Sequence, residues 1–192
     1  MTHIVPRVTV RDEFCVETRP HPAGIVIFGA SGDLTTRKLL PALFNLFVRD
    51  LLPEDFFILG CARSEKTDDD FRAIVRESVR NLPRGDDAET VEDFAGRCAY
   101  TRGLYESPDL YTDIAARLAV LESAYQTRGN RLFYCSTPPA LYAEIAGHLA
   151  KSGLIEERPH VPDAPWRRVI FEKPFGSDLA SSRDLDRRLH RH

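Results

Sequence analysis

Apolar positions along this chain fall into short blocks that alternate between two spacings. Ile25–Phe28 and Phe56–Leu59 are runs of four apolar residues, the length of buried strands. "RLFYCS" (Arg131–Ser136) and "RVIFE" (Arg168–Glu172) read as two more strands, and a brief one fits Cys98–Thr101. Between them the spacing is helical. Leu39, Leu40, Leu43, Phe44 and Phe47 share a face over Lys38–Val48, as do Phe71, Ile74, Val75 and Val79 over Thr67–Arg80. Thr67 and Asp70 have the form of a capping box. Further helices are predicted over Pro108–Tyr125, over Pro139–Lys151 ending at Gly153, and from a Ser177 cap through Leu189. Pro41 either occupies a first helical turn, where its missing N–H costs little, or kinks its helix. "PRGDDAET", from Pro83, and "EERPHVPDAPW" read as loops.

Strands alternating with helices imply a parallel sheet covered on both faces. Right-handed crossovers then leave one simple solution, an α/β fold with a Rossmann-like doubly wound parallel sheet. Residues 1–23 show weak pattern and read as a loosely ordered N-terminal arm. Residues 24–192 read as one dinucleotide-binding domain.

Bulk properties narrow the class. A chain of 192 residues, 43% hydrophobic, supports one substantial core. With a net charge of −3, no global basic field points to nucleic acid. No apolar run reaches the roughly 18 residues of a membrane span, and the first residues lack the form of a secretory signal. Cys15, Cys61, Cys98 and Cys135 form no CxxC pair and read as thiols of a reducing compartment. The expectation is a cytoplasmic protein with no nucleic-acid, membrane or metal partner.

The candidate chemistry lies where strands give way to helices. In "IVIFGASGDLTTRKLLPALFNL" (Ile25–Leu46), Gly29 and Gly32 interrupt the passage from strand to helix. The first N–H groups of a helix lack partners and favour anions. Glycine permits unusual backbone angles and lets a pyrophosphate lie against the main chain. Ser31, Thr35 and Thr36 add hydroxyl donors. The spacing is GxxGxxT rather than GxGxxG, so a tight turn with Asp33 capping the helix remains an alternative. At the second strand end, "FFILGCARSEK" offers Arg63 and Ser64, and an arginine there suits the 2′-phosphate of NADP. Glu65 competes with that reading, and a solvated surface arginine is the plainer one. "TPP" after "RLFYCS" could form a stiff wall beside a flat ring. Tyr134 fits either that wall or the core. Lys173, between Glu172 and Pro174, is a candidate ligand or else a surface lysine paired with Glu172.

Together "GASGDLTTRKLLPALFNL", "GCARSEKTDDDF", "NRLFYCSTPP" and "EKPFGSDLASSRDLDRRL" resemble, in order and spacing, the N-terminal coenzyme domain of the glucose-6-phosphate dehydrogenases, from about Gly24 to His192. The resemblance implies NADP as hydride acceptor and oxidation of glucose 6-phosphate at C1 to 6-phosphogluconolactone, within glucose metabolism and the pentose phosphate pathway. It assigns Gly29, Ala30, Ser31, Gly32, Asp33, Leu34, Thr35 and Thr36 to the dinucleotide-binding loop. It assigns Arg63 to the 2′-phosphate, Tyr134 to the coenzyme, and Lys173 to both coenzyme and sugar phosphate, with Pro174 positioning that lysine. Members of the family are more than twice this long. A second α+β domain, absent from these 192 residues, carries an "RIDHYLGKE" segment whose histidine removes the C1 hydroxyl proton. His190 and His192, in "LHRH", do not match it, so the general base is expected beyond residue 192 and no catalytic residue is assigned within the chain. Any homo-oligomer is expected to form through that second domain. A nucleotide-binding module without turnover would need Gly29, Gly32 and Arg63 but not Lys173. A short-chain oxidoreductase would need a Tyr-x-x-x-Lys pair, and none of the six tyrosines has one.

Overall fold

The computed structural model describes residues 8–10, 16–157 and 163–174, together with Arg183 and Arg187. Within the segment read as a loose arm, β1 (Val8–Val10) and β2 (Val16–Thr18) form an antiparallel pair. The frame of the molecule is a five-stranded parallel sheet made by β3 (Ala23–Phe28), β4 (Phe56–Ala62), β5 (Cys98–Arg102), β6 (Arg131–Cys135) and β7 (Arg167–Phe171), in the order β5-β4-β3-β6-β7. The chain builds outward from β3 to β5, then crosses back to lay β6 on the other side of β3. That reversal is a topological switch point, where such sheets bind ligands beyond their carboxyl ends.

The apolar runs of β3 and β4 are buried at every position because helices cover both faces. Ile25, Ile27, Phe56 and Ile58 point to one side, where they meet Leu43 and Phe44 of α1 (Leu40–Val48), Phe71 and Val75 of α2 (Asp68–Val79), and Phe94 of α3 (Ala88–Gly96). Val26, Phe28, Phe57 and Leu59 point to the other, against Ile114 and Leu118 of α4 (Pro108–Ala124) and Ile145 and Leu149 of α5 (Tyr142–Lys151). The alternation of strand side chains thus sorts one apolar run into two cores. At roughly 25 cal/mol per Å² of buried apolar surface, these two layers dominate the stability of the sheet.

Most helix ends follow their sequence signals. The Thr67 hydroxyl accepts from Asp70 N at 3.1 Å while the Asp70 carboxylate accepts from Thr67 N at 2.8 Å, a complete capping box. A short 3₁₀ turn, Pro139–Leu141, leads into α5, and Gly153 closes its end with φ +70. Two expectations are corrected. The loop expected from Pro83 ends early, because Asp87 accepts from Thr90 N and starts α3. Val91, Phe94 and Ala95, at helical spacing, are its buried side. The helix expected from Lys38 begins earlier, at Asp33, and passes through a π-helical segment, Thr35–Leu39, before α1. Pro41 stands just after that segment; it has no N–H to give the carbonyl four residues back, and a widened turn relieves its ring of that carbonyl. Of the helix expected from Ser177 through Leu189, only Arg183 and Arg187 are among the described residues, and both are helical; its other residues, like Cys15, His160, His190 and His192, lie outside them.

Among the described residues, no helix is long and apolar enough to cross a membrane. Cys61, Cys98 and Cys135 are buried free thiols, and burial pushes all three above the ordinary thiol range.

Candidate functional site

The strand register brings the expected residues to one rim. Phe28, the last residue of β3, is level with Cys61 of β4 and with Cys135 of β6, so the segments that follow meet. Gly29 N and Ala30 N donate to the Cys61 carbonyl at 2.9 and 3.2 Å, and Ser136 N donates to the Phe28 carbonyl at 2.9 Å. Gly29 takes φ +86, and a Cβ there would stand 2.1 Å from the Ser136 carbonyl oxygen. Only glycine fits this crossing of backbones. The buried Thr35 hydroxyl donates to the Gly29 carbonyl at 3.0 Å and hydrogen-bonds the Ser136 hydroxyl at 3.1 Å, locking the turn to β6.

Of the two properties expected of Gly32, the unusual backbone angle is absent and the open side is present. Its φ lies outside the left-handed region, and a Cβ would meet only the Gly29 carbonyl oxygen, at 3.1 Å. What glycine supplies here is open space against the main chain. Gly32 N is held by the Gly29 carbonyl, while the N–H groups of Asp33, Leu34 and Thr35 have no backbone acceptor among the described residues. Asp33 does not cap the helix. It occupies the first turn, where the helix dipole favours an acid, and its exposed carboxylate reaches forward to Arg37 at 3.4 Å.

Arg63 leaves the end of β4 exposed and pairs with no carboxylate among the described residues. Glu65, its sequence competitor, is committed to Arg102 at 2.9 Å. Beside Arg63, the Ser64 hydroxyl meets that of Ser31 at 3.0 Å, and the Tyr100 hydroxyl donates to the Ser64 carbonyl at 2.8 Å. Burial pushes the Tyr100 phenol up to about 12. It does the same for Tyr105. Both phenols therefore hold their protons at neutral pH. The sequence reading does not single out Tyr100, Tyr105 and Ser136; Tyr105 and Ser136 follow strand carboxyl ends, whereas Tyr100 lies in the middle of β5.

At the other side of the switch point, Tyr134 is half-buried and packs against the core on the α1 side. Its hydroxyl donates to the Glu172 carboxylate, and the Tyr142 hydroxyl donates to the Glu172 carbonyl at 3.1 Å. Burial, with the hydrogen bond to Glu172, pushes the Tyr134 phenol up to about 12. Glu172 is thus held by tyrosine rather than by Lys173, which is exposed and makes no ion pair among the described residues. The Lys173–Pro174 bond is cis.

The rim accordingly carries two cations without an ion pair among the described residues, Arg63 and Lys173, around a glycine turn. A cavity of about 650 Å³, lined by Thr36, Arg37, Pro41, Ile74, Ser78 and Leu82 among others, lies between the first helix and α2; it touches the glycine turn's helix at Thr36 but includes no strand end. The rim, with its convergent polar groups, is the better candidate. Among the described residues, no group of three or more His, Cys, Asp or Glu could hold a metal ion.

Residues 26–192 match the family model described as "Glucose-6-phosphate dehydrogenase, NAD binding domain". The chain is 44% identical over 168 residues to a glucose-6-phosphate 1-dehydrogenase of Aggregatibacter actinomycetemcomitans, covering 87% of this chain and 33% of that protein. It is 43% identical over 165 residues to the enzyme of Chlamydia pneumoniae, covering 85% and 32%. A glucose-6-phosphate dehydrogenase solved in complex with its substrate glucose-6-phosphate superposes with a TM-score of 0.75 at 31% identity, over 88% of this chain and 34% of that one. The Mycobacterium avium enzyme superposes with a TM-score of 0.72 at 34% identity. The chain thus spans about a third of the length of these relatives. With a doubly wound sheet, a glycine turn at its switch point and a match over nearly all of its length, this chain belongs to the glucose-6-phosphate dehydrogenase family and carries that family's domain for a nicotinamide dinucleotide.

Proposed function

We propose that this chain binds NADP as the coenzyme-binding part of a glucose-6-phosphate dehydrogenase, in which glucose 6-phosphate is oxidised at C1 to 6-phosphogluconolactone with hydride transfer to NADP. The observation that carries the choice of coenzyme is the end of β4. An NAD site would place an acid here to hold the ribose hydroxyls. This chain instead presents Arg63 without a carboxylate partner among the described residues, while Glu65, two positions on, is tied to Arg102. A planar guanidinium suits the oxygens of a 2′-phosphate.

The residues fit the rest of such a coenzyme. The open side of Gly32 and the first-turn N–H groups of Asp33 and Leu34 suit a pyrophosphate, and Ser31 and Thr36 stand beside them. When bound, the coenzyme supplies the hydride-accepting ring. Lys173, which has no ion pair among the described residues while Tyr134 holds Glu172, offers a cation for the sugar phosphate. The C1 hydroxyl proton needs an acceptor. Tyr100, Tyr105 and Tyr134 hold their own protons at neutral pH and serve as donors rather than as that base.

Calorimetric titration of the chain with NADP and with NAD tests the reading. Arg63→Ala is expected to weaken NADP by about 30-fold, the value of one hydrogen bond to a charged group, with NAD little changed. Equal losses for both coenzymes would overturn the choice of NADP. Glucose 6-phosphate is expected to bind the NADP-loaded chain more weakly after Lys173→Ala. Coenzyme binding with no response to the sugar phosphate would favour a binding module without turnover.

A further inference from the structure

We propose that Tyr100 is a positioning residue for coenzyme selectivity: it holds the turn that aims Arg63, without touching the coenzyme itself. The inference rests on the assignment of Arg63 to the 2′-phosphate. Arg63 and Ser64 follow β4 on an exposed turn that runs to the α2 cap at Thr67. An exposed arginine on a free turn would spread its guanidinium over many positions and lose entropy on binding. Here the turn is restrained from both sides.

From below, Tyr100 donates its hydroxyl to the Ser64 carbonyl at 2.8 Å. From the front, the Ser31 hydroxyl of the glycine turn meets the Ser64 hydroxyl at 3.0 Å. Tyr100 is itself fixed. Its ring centroid lies 5.5 Å from that of Phe71, it is 6% exposed, and its backbone N–H donates to Asp68 Oδ1 at 2.8 Å. Asp68 in turn pairs with Arg117 at 2.6 Å. A buried strand therefore reaches the surface through one phenol and sets the residue next to Arg63. Because Ser31 belongs to the turn assigned to the pyrophosphate and Ser64 to the turn assigned to the 2′-phosphate, this bridge also fixes the distance between the two anion subsites.

Tyr100→Phe removes the hydroxyl and keeps the ring against Phe71, so its thermal midpoint is expected to stay close to that of the parent chain. The probes are 2′,5′-ADP, which carries the 2′-phosphate, and 5′-AMP, which lacks it. The variant is expected to bind 2′,5′-ADP about tenfold more weakly, the value of one restraining hydrogen bond, with 5′-AMP changed by less than about twofold. In the Arg63→Ala background the same change should cost nothing further, since there is then no guanidinium to aim. Equal weakening of both probes, or none of either, would overturn the proposal, as would a full additional loss in the double variant. If Arg63→Ala alone leaves the preference for 2′,5′-ADP intact, the NADP reading itself fails. If Arg63→Ala abolishes that preference and Tyr100→Phe does not touch it, only the positioning role fails.

Discussion

The side-chain oxygens of Thr35 and Ser136, 101 residues apart in the chain, meet at 3.1 Å and tie the glycine turn after β3 to the end of β6. Thr35 is wholly buried, and its hydroxyl also satisfies the Gly29 carbonyl. Thr35→Val keeps the shape and removes both bonds. It is expected to cost about 1–3 kcal/mol in urea unfolding, because two hydrogen bonds of a buried hydroxyl are lost together, although the Gly29 carbonyl keeps Gly32 N as a donor. NADP affinity should fall as the turn loosens. A midpoint and an affinity both equal to those of the parent chain would refute this account of the turn.

Gly29 and Gly32 should separate in their effects. Gly29→Ala forces a side chain into φ +86 with its Cβ 2.1 Å from the Ser136 carbonyl, so β3 and β6 must part. The expected loss is at least about 3 kcal/mol, seen as a lowered melting midpoint. Gly32→Ala meets only one oxygen, at 3.1 Å, and should leave stability within about 1 kcal/mol while weakening NADP. If both variants melt alike, the steric distinction between the two glycines is wrong.

Tyr134→Phe should alter Lys173 through Glu172. Without the phenol, the Glu172 carboxylate loses its donor and becomes free to pair with the adjacent ammonium. Lys173 should then react more slowly with an amine-modifying reagent, with Lys38 as an internal control, read by mass spectrometry of the labelled peptides. Stability should drop by about 1–2 kcal/mol. Unchanged labelling of Lys173 would show that Glu172 finds another partner.

Asp87 gives a pH signature for α3. Its hydrogen bonds from Thr90 and from Arg84 hold its carboxyl down at about 2, from an ordinary 3.8. A depressed folded value means that the contribution is complete above about pH 4 and is lost as pH falls through about 2. Asp87→Asn keeps a capping oxygen but cannot titrate. The stability advantage of the parent chain over this variant should therefore shrink between about pH 4 and pH 2, followed by circular dichroism in denaturant. A constant difference across that window would assign the cap no charge effect.

Much of this architecture is local and was legible in the chain. The apolar runs of β3 and β4, the helical spacing of Phe71, Val75 and Val79, and the Thr67–Asp70 box each act within a few residues, so their chemistry can be read in order. α3 escaped because its nine residues follow a polar, glycine-containing stretch, and Val91, Phe94 and Ala95 mark little more than one turn. The motif residues Gly29, Gly32, Arg63 and Lys173 could be named for the same reason: each directly follows, or nearly follows, a recognisable strand.

Their partners could not be named. Whether Glu65 turns to Arg63 or to Arg102, and whether Glu172 takes Lys173 or Tyr134, depend on side chains that only strand order and register bring within about 3 Å of one another. Neighbouring strands lie about 4.8 Å apart, so placing β6 beside β3 rather than beside β5 decides which hydroxyls meet. Residue types determined that the chain would build a doubly wound sheet with cations and glycines at its rim. Only the tertiary packing decided which of the nearby acids were taken by other partners among the described residues, because an ion pair is a relation between positions and not a property of either residue.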